Sequence, residues 1–264
     1  MVDLPGDIAL RGGIFLGVLG TLMVLEVFLR GPNPPPMRGR RWPANAGLVL
    51  LDTVLARLLL PAGVVGAAAW AQAQGFGLLN QLAWPAWLEF GIALVLLDLA
   101  IYWQHRLLHA WPLLWRLHRV HHTDRTLDAT SALRFHPLEM LLSLAIKIAL
   151  AVLLGIPPVA AMVFEVLLSS FALVTHANLA LPHWLDRPVR ALLVTPNMHR
   201  IHHSTDVDEQ HRNFGFNLSL WDHVFGSFVA HARSQPQDFG VDGVDMDEAT
   251  GFVALLREPF VTRD

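Results

Sequence analysis

The chain has 264 residues, of which 53% are hydrophobic and 16% are charged, and its mean hydropathy is +0.43. Soluble domains contain about 45–50% apolar residues, so this composition indicates an integral membrane protein. A formal net charge of −3 and an isoelectric point near 6.5 provide no basic surface of the kind that binds nucleic acid. The absence of cysteine excludes disulfides, thiolate metal sites and a catalytic thiol.

The first apolar run, residues 9–29, is long enough to cross a hydrocarbon core of about 30 Å. An acidic segment precedes it and no small-residue cleavage site follows it, so we predict a retained span rather than a signal peptide. Apolar stretches at residues 46–73 and 87–102 predict a second and a third span. The helical pattern of the third continues into the sequence HRLLH at 105–109.

Arginines crowd the loop after the first span, at Arg30, Arg38, Arg40 and Arg41. The positive-inside rule places this loop in the cytoplasm, so the third span would deliver His105 to the cytoplasmic face. Arginine greatly outnumbers lysine in the chain, which is typical of a GC-rich bacterial source. We therefore expect a multi-pass protein of a bacterial plasma membrane, with the end of the third span that carries His105 in the cytoplasm.

Two further apolar segments, residues 138–154 and 157–174, flank the turn sequence GIPP. They predict an apolar hairpin whose two ends lie on the same side of the membrane. Lys147 and Glu165 lie at similar distances from the turn, so an ion pair between them is one interpretation. In the other interpretation each side chain snorkels or faces the protein interior separately.

Histidine clusters are the most informative pattern in this apolar chain. They read HRLLH, HRVHH and HRIHH, and they contain His105, His109, His118, His121, His122, His199, His202 and His203. Residues at i, i+3 and i+4 share one face of a helix, so each cluster can aim its imidazoles at a common point. Imidazole suits iron, zinc, copper and nickel. Eight ligands exceed what a single ion needs, so the pattern predicts two ions.

Acidic residues are missing from the clusters. Position 106 is arginine where the HExxH motif of zinc metalloproteases has its catalytic glutamate, and the Glu-x-x-His arrangement of soluble di-iron bundles is not present. An all-histidine metal pair beside lipid favours dioxygen activation and C–H oxidation. Two alternatives stay open: a zinc-dependent membrane hydrolase, and a non-catalytic metal-binding or transport protein.

The order of the clusters, with the segments that link them, resembles the fatty acid hydroxylase and sterol desaturase superfamily. The linking segments are DATSALRFHPLE at 128–139, THANLALPHW at 175–184, TPNMHRIHH at 195–203, NFG at 213–215 and WDHVFGS at 221–227. The resemblance covers roughly residues 90–228. It implies a membrane-bound, non-haem di-iron oxidoreductase that uses O2 and external electrons to hydroxylate or desaturate a lipid C–H bond of sterol, fatty acyl or alkylglycerol type.

The resemblance also implies that the eight clustered histidines are metal ligands and that His176 joins them. His136 is either a further ligand or a residue that orients one. Asn178 is expected to support the ligands without binding the metal. The helical spacing places Asp98 on the same face as His105, where it either accepts a proton from a ligand imidazole or bonds within the helix bundle. The cofactor would be two iron ions, for which zinc could substitute in isolated protein.

Related fatty acid hydroxylases carry another ligand four residues after the histidine that matches His176, where this chain has Ala180. Water held by Asn178 or the imidazole of His183 could replace that ligand. The remaining histidines, namely His183, His211, His223 and His231, are otherwise predicted to be ordinary interfacial residues.

No flavin, haem or nicotinamide motif occurs in the sequence. The electrons would therefore come from an external donor such as a ferredoxin, a cytochrome or a pterin, and the substrate would be a lipid from the bilayer.

The predicted fold is an all-α, multi-pass membrane helical bundle with about three long spans, one apolar hairpin and a cytoplasmic histidine-rich cap. We expect N-terminal transmembrane helices over residues 1–85, a fatty acid hydroxylase/sterol desaturase-like catalytic domain over residues 86–233 and a C-terminal surface tail over residues 234–264.

Overall fold

The computed structural model describes residues 4–29, 31, 38–233 and 238–262. Its first seven α-helices are α1 (Leu4–Phe28), α2 (Arg38–Leu59), α3 (Gly63–Ala73), α4 (Ala86–Ala110), α5 (Pro112–His122), α6 (Pro137–Leu154) and α7 (Pro158–His176). Shorter helices follow as α8 (His183–Val189), α9 (Pro196–His202), α10 (Val207–Gln210), α11 (Leu220–Val224), α12 (Met246–Thr250) and α13 (Phe252–Arg257). A 3-10 helix at Ala129–Leu133 lies between α5 and α6.

Five helical segments among the described residues are long and apolar enough to cross a membrane. They are Ala9–Phe28, Arg38–Ala73, Ala86–Ala110, Pro137–Leu154 and Pro158–His176. The predicted all-α, multi-pass bundle of three long spans and one hairpin is therefore confirmed. The third span continues without a break into the first histidine cluster, as the sequence pattern predicts.

The second span differs from the prediction in two respects. It begins at Arg38 rather than at residue 46, because its polar first turns are helical as well. It is also divided into α2 and α3. Pro61 lies in the gap between them, and Gly63 adopts the left-handed region with φ 58°. Proline has no backbone N–H to continue the helix, and glycine accepts this φ without a steric penalty.

The hairpin of α6 and α7 turns at Gly155, whose left-handed conformation (φ 68°) ends α6. Prolines at positions 157 and 158 then begin α7. Lys147 Nζ lies 2.6 Å from Glu165 Oε1 across the hairpin, which confirms the ion pair.

Small side chains form much of the buried core of the membrane bundle, where α3 packs against both α6 and α7. Ala68, Ala93, Ala151, Ala160 and Ala161 are fully buried there. Small residues allow transmembrane helices to pack closely against one another. This packing holds the bundle that carries the histidine-bearing helix ends.

A buried ionic cluster joins α2 to the segment after α5. Arg41 Nη1 lies 2.7 Å from Asp124 Oδ2, and Arg41 also pairs with Asp128. Asp128 in turn caps the 3-10 helix through the backbone N–H of Thr130. Arg134 adds a second guanidinium 3.4 Å from Asp124. All of these charged groups are nearly inaccessible to solvent, so each depends on the others for compensation.

The C-terminal residues for which we predict a surface tail include α12 and α13, which contact α2. Leu255 is buried against Leu48 and Val120 in a small apolar cluster. Arg119 Nε lies 3.0 Å from Glu258 Oε1. The segment 238–262 thus packs against both α2 and the histidine-bearing α5.

Replacement of Arg41 by alanine should destabilise the protein strongly, because buried Asp128 loses the guanidinium that pairs with it and buried Asp124 keeps only Arg134. Breaking a buried pair costs about 3–5 kcal/mol. The matched control is Arg40→Ala. Arg40 and its partner Asp247 are 79% and 88% exposed, and an exposed pair contributes less than about 1 kcal/mol. Thermal unfolding in detergent micelles would measure both; equal shifts would contradict the assignment.

Candidate metal centre

Nine histidines converge where the ends of α4 and α7 meet α5 and α9, two helices that we call the cap. His105 and His109 lie in the last turns of α4, His176 ends α7, and the others come from α5 and from α9 with its C-cap. None of the nine is more than 4% exposed. The helices that cross the membrane therefore place their histidine-bearing ends against the two short helices of the cap.

The nine histidines form two adjacent groups in which one ring nitrogen from each member lies within 4.8 Å of the others. Group one contains His105, His109, His118, His122 and His202. Group two contains His121, His176, His199 and His203. The groups touch where His122 and His203 stack with ring centroids 4.3 Å apart.

Each HxxHH cluster is split between the two groups, which corrects the expectation that a cluster shares one focus. The pair His118 and His122 belongs to group one, whereas His121 belongs to group two. Consecutive residues on an α-helix point about 100° apart because one turn takes 3.6 residues. One short helix can therefore serve two neighbouring sites at once.

Distances within group two fit ligands of a common ion. His176 Nε2 lies 3.0 Å from His121 Nε2, 3.1 Å from His203 Nε2 and 3.1 Å from His199 Nε2. In group one, His105 Nε2 lies 3.1 Å from His118 Nε2. Nitrogens bound at right angles to one ion at about 2.1 Å would be about 3.0 Å apart.

Burial keeps these imidazoles neutral. It lowers the pKa of His121, His122, His199 and His203 well below the ordinary histidine value, and neighbouring imidazoles lower it further. Burial lowers the pKa of His202 to about 3. A neutral imidazole keeps one nitrogen lone pair, which is the form that binds metal.

Several Nδ1 atoms have partners that define which nitrogen is free. Glu139, in the first turn of α6, accepts from His118 Nδ1 at 2.7 Å. Backbone carbonyls accept from three others, at 2.7–2.8 Å: Phe214 from His105, Arg212 from His202 and Ala172 from His176. Because these oxygens can only accept, each ring donates through Nδ1 and keeps its Nε2 lone pair for a metal.

Other ring nitrogens have no hydrogen-bond partner among the described residues. Both nitrogens of His109 and of His122 are in this state, as are His202 Nε2 and the Nδ1 atoms of His121, His199 and His203. Buried polar atoms normally have partners, because losing water without compensation is costly. The donor set is all imidazole, which suits iron and zinc alike, so these residues fit metal binding.

His136 lies outside both groups. Its Nδ1 accepts from the backbone N–H of Leu138, which caps α6, and its Nε2 lies 3.2 Å from the carbonyl oxygen of Leu256. Since both ring nitrogens have protein partners, the structure connects His136 to the C-terminal segment rather than to the histidine groups. His183 is likewise outside the groups and lines a surface cavity.

Asp98 and Asn178 also contact residues other than the grouped histidines. Asp98 Oδ2 accepts from Trp221 Nε1 at 2.8 Å and from the backbone N–H of Leu218 at 3.3 Å. The backbone N–H of Asn178 donates to Glu26 Oε1 at 2.8 Å. Asp98 therefore attaches the C-terminal part of the domain to α4, and Glu26 attaches α1 to the end of α7.

The loop that supplies the carbonyl for His105 is shaped by Asp222, which sequence reasoning did not single out. Asp222 accepts from the backbone N–H groups of Phe214 and Gly215 at 2.7 and 2.8 Å. A Cβ at Gly215 would lie 2.7 Å from Asp222 Oδ2, so this close approach requires glycine. Asn213, at the start of the same NFG motif, adopts the left-handed backbone region with φ 53°. The motifs NFG and WDHVFGS are the sequence signal for this contact.

A largely apolar cavity of about 240 Å³ lies against group one. His105 and His118 are among its lining residues, as are the aromatic rings of Phe15, Phe135 and Phe216. An apolar cavity beside buried imidazoles is suited to an apolar substrate segment.

Comparison with known proteins identifies relatives. A family model described as fatty acid hydroxylase matches residues 90–227, about half of the chain. An ornithine lipid hydroxylase of Rhizobium tropici is 32% identical over 177 residues, which are 67% of this chain and 52% of that protein. Alkylglycerol monooxygenases of Danio rerio and Homo sapiens are 32% and 29% identical, over 56% and 58% of this chain and 31% and 33% of those proteins.

The chain thus aligns with about half or less of the length of these relatives. No solved structure matches it. All nine grouped histidines lie within the matched residues 90–227, and the chain belongs to the fatty acid hydroxylase family.

Proposed function

We propose that the protein is a membrane-bound oxidoreductase that uses O2 and external electrons to hydroxylate or desaturate a lipid C–H bond. The observation that carries this proposal is the pair of adjacent, buried, all-histidine groups beside an apolar cavity. Family membership supports the reaction class, since relatives are named as a lipid hydroxylase and as alkylglycerol monooxygenases.

Two iron ions are the proposed cofactor, one in each histidine group. Group one would supply His105, His109, His118, His122 and His202, and group two would supply His121, His176, His199 and His203. Bound iron would supply the reduction of dioxygen and the oxidation of the C–H bond. Zinc has the same preference for imidazole and could replace iron in isolated protein.

The protein's own groups would orient the ligands and exclude water. Glu139 holds the Nδ1 proton of His118, and the carbonyl of Phe214 holds that of His105. These contacts aim both Nε2 atoms inward, next to the apolar cavity. Hydroxylation consumes one O2, two electrons and two protons and yields the alcohol and water; desaturation yields the alkene and two waters.

The substrate would be a lipid of sterol, fatty acyl or alkylglycerol type, and the cavity between the membrane helices supports entry from the bilayer. The electron donor would be a ferredoxin, a cytochrome or a pterin, because the sequence contains no flavin, haem or nicotinamide motif. The arginines at the start of α2 support a cytoplasmic catalytic face, and a bacterial relative supports the plasma membrane of a bacterium.

Purification of the full chain under reducing conditions should yield two iron ions per chain and O2-dependent oxidation of membrane lipid. Metal analysis, oxygen consumption and mass spectrometry of the lipids would measure these quantities. Two zinc ions with esterase activity and no oxygen uptake would favour a hydrolase instead. Bound metal without any reaction would favour a metal-binding or transport protein.

Matched histidine-to-asparagine substitutions should separate ligands from other buried histidines. His122→Asn should lower the bound iron by about half or more, because one of the two groups loses a ligand. His136→Asn should leave the iron content unchanged, because both of its ring nitrogens contact protein groups. Iron per folded chain would be measured for each variant. Equal loss in both would place His136 among the ligands.

Glu139→Gln keeps the size of the side chain but removes the charge that holds the His118 proton. Loss of such a supporting group typically costs about 10–100-fold in metal affinity or activity. We expect weaker iron binding in a chelator titration while thermal stability in the iron-free state changes little. An unchanged chelator titration would show that Glu139 does not support the site.

A further inference from the structure

The cavity beside the histidines adjoins a second one. The first, of about 240 Å³, contacts His105 and His118. The second, of about 360 Å³, reaches the break between α2 and α3. Both are lined by Val49, Asp52, Met140, Lys147 and Glu165. Because the two cavities share these lining residues, they lie next to each other and together extend from His105 and His118 to the break between α2 and α3. We call the two cavities together the passage.

One face of α6 runs along the passage and gives its length. Glu139, Ser143 and Lys147 line the first cavity at intervals of four residues, which places them on one side of the helix. The eight-residue step from Glu139 to Lys147 is about 12 Å at a rise of about 1.5 Å per residue. Lys147 therefore lies about 12 Å along α6 from Glu139, which contacts His118.

Lys147 forms an ion pair with Glu165, which also lines the passage. Lys147 Nζ lies 2.6 Å from Glu165 Oε1, and Arg11 Nη1 lies 3.4 Å from Glu165 Oε2. Glu165 is thus held by two cations. Asp52, a further carboxylate that lines both cavities, takes no part in these two ion pairs.

Asp52 is 5% exposed and lines both cavities. Its Oδ1 is buried and has no hydrogen-bond partner among the described residues. An acid in a membrane span is costly to keep and is usually functional, and a buried carboxylate needs a donor or a positive charge to offset the loss of water. The passage offers room for that donor to belong to a ligand.

We propose that Asp52 binds the amino group of the lipid substrate. This inference rests on the proposed lipid oxidation and specifies its substrate class as an amine-bearing lipid. A protonated amine supplies both the positive charge and the hydrogen bonds that Asp52 lacks. The apolar segment of the lipid would then lie along Phe15, Phe135 and Phe216, beside His105 and His118.

The test measures the affinity of the protein for lipids and requires no catalytic turnover. A preparation that lacks oxygenase activity can therefore still be used. Radiolabelled hexadecylamine and hexadecan-1-ol are bound to the purified full chain in dodecylmaltoside micelles, with protein-free micelles as the blank. We expect the amine to bind about tenfold more tightly than the alcohol, since a hydrogen bond to a charged group contributes about 1.5–3 kcal/mol.

Asp52→Asn should abolish this preference by weakening the binding of hexadecylamine about tenfold while leaving that of hexadecan-1-ol unchanged. Asp52→Glu should retain the preference for hexadecylamine. This variant shows whether a loss of preference in Asp52→Asn results from loss of the carboxylate or only from misfolding. Asp242→Asn changes an exposed acid outside the passage and should have no effect. Equal binding of the two lipids to the unmodified protein, or equal weakening of both by Asp52→Asn, would overturn the proposal.

Discussion

Burial of nine imidazoles is the constraint on which the rest of this structure depends. The rings lie at most 4% exposed, and burial lowers the pKa of His121, His199 and His202 far enough to keep these three rings neutral. Their Nε2 atoms approach one another to about 3 Å in both groups. A set of lone pairs in such proximity, away from water, is compensated best by a shared cation.

Contacts around the groups hold the rings in this arrangement. Glu139 and the backbone carbonyls fix the donor side of several rings, and Asp222 shapes the loop that carries one of those carbonyls. Further out, Arg41 connects α2 to Asp124 and Asp128. The membrane bundle thus contributes rigid helix ends, while buried ionic contacts attach the cap to them. The same bundle provides the apolar passage, in which a paired Lys147 and Glu165 lie near Asp52.

Much of the fold follows from local sequence patterns. Apolar length predicts the spans, because each must cross a hydrocarbon layer of about 30 Å. The sequence GIPP predicts the hairpin, because glycine and proline end one helix and begin the next. The similar offsets of Lys147 and Glu165 from it made an ion pair one of two interpretations, and the structure shows that pair. The histidine spacing and the linking motifs are sufficient to predict the family, which the comparison confirms. These features depend on residues that are near one another in the chain.

The sequence by itself therefore determined the spans, the hairpin and the identity of the histidine-rich motifs. Only the tertiary structure showed that His121 and His122 belong to different groups and that Glu139 contacts His118. It also showed that His136 contacts Leu256 rather than the histidine groups. It also placed Asp98 against Trp221 rather than against a histidine. The physical reason is that helical spacing defines a face, whereas the partner that the face meets depends on packing between segments far apart in the chain.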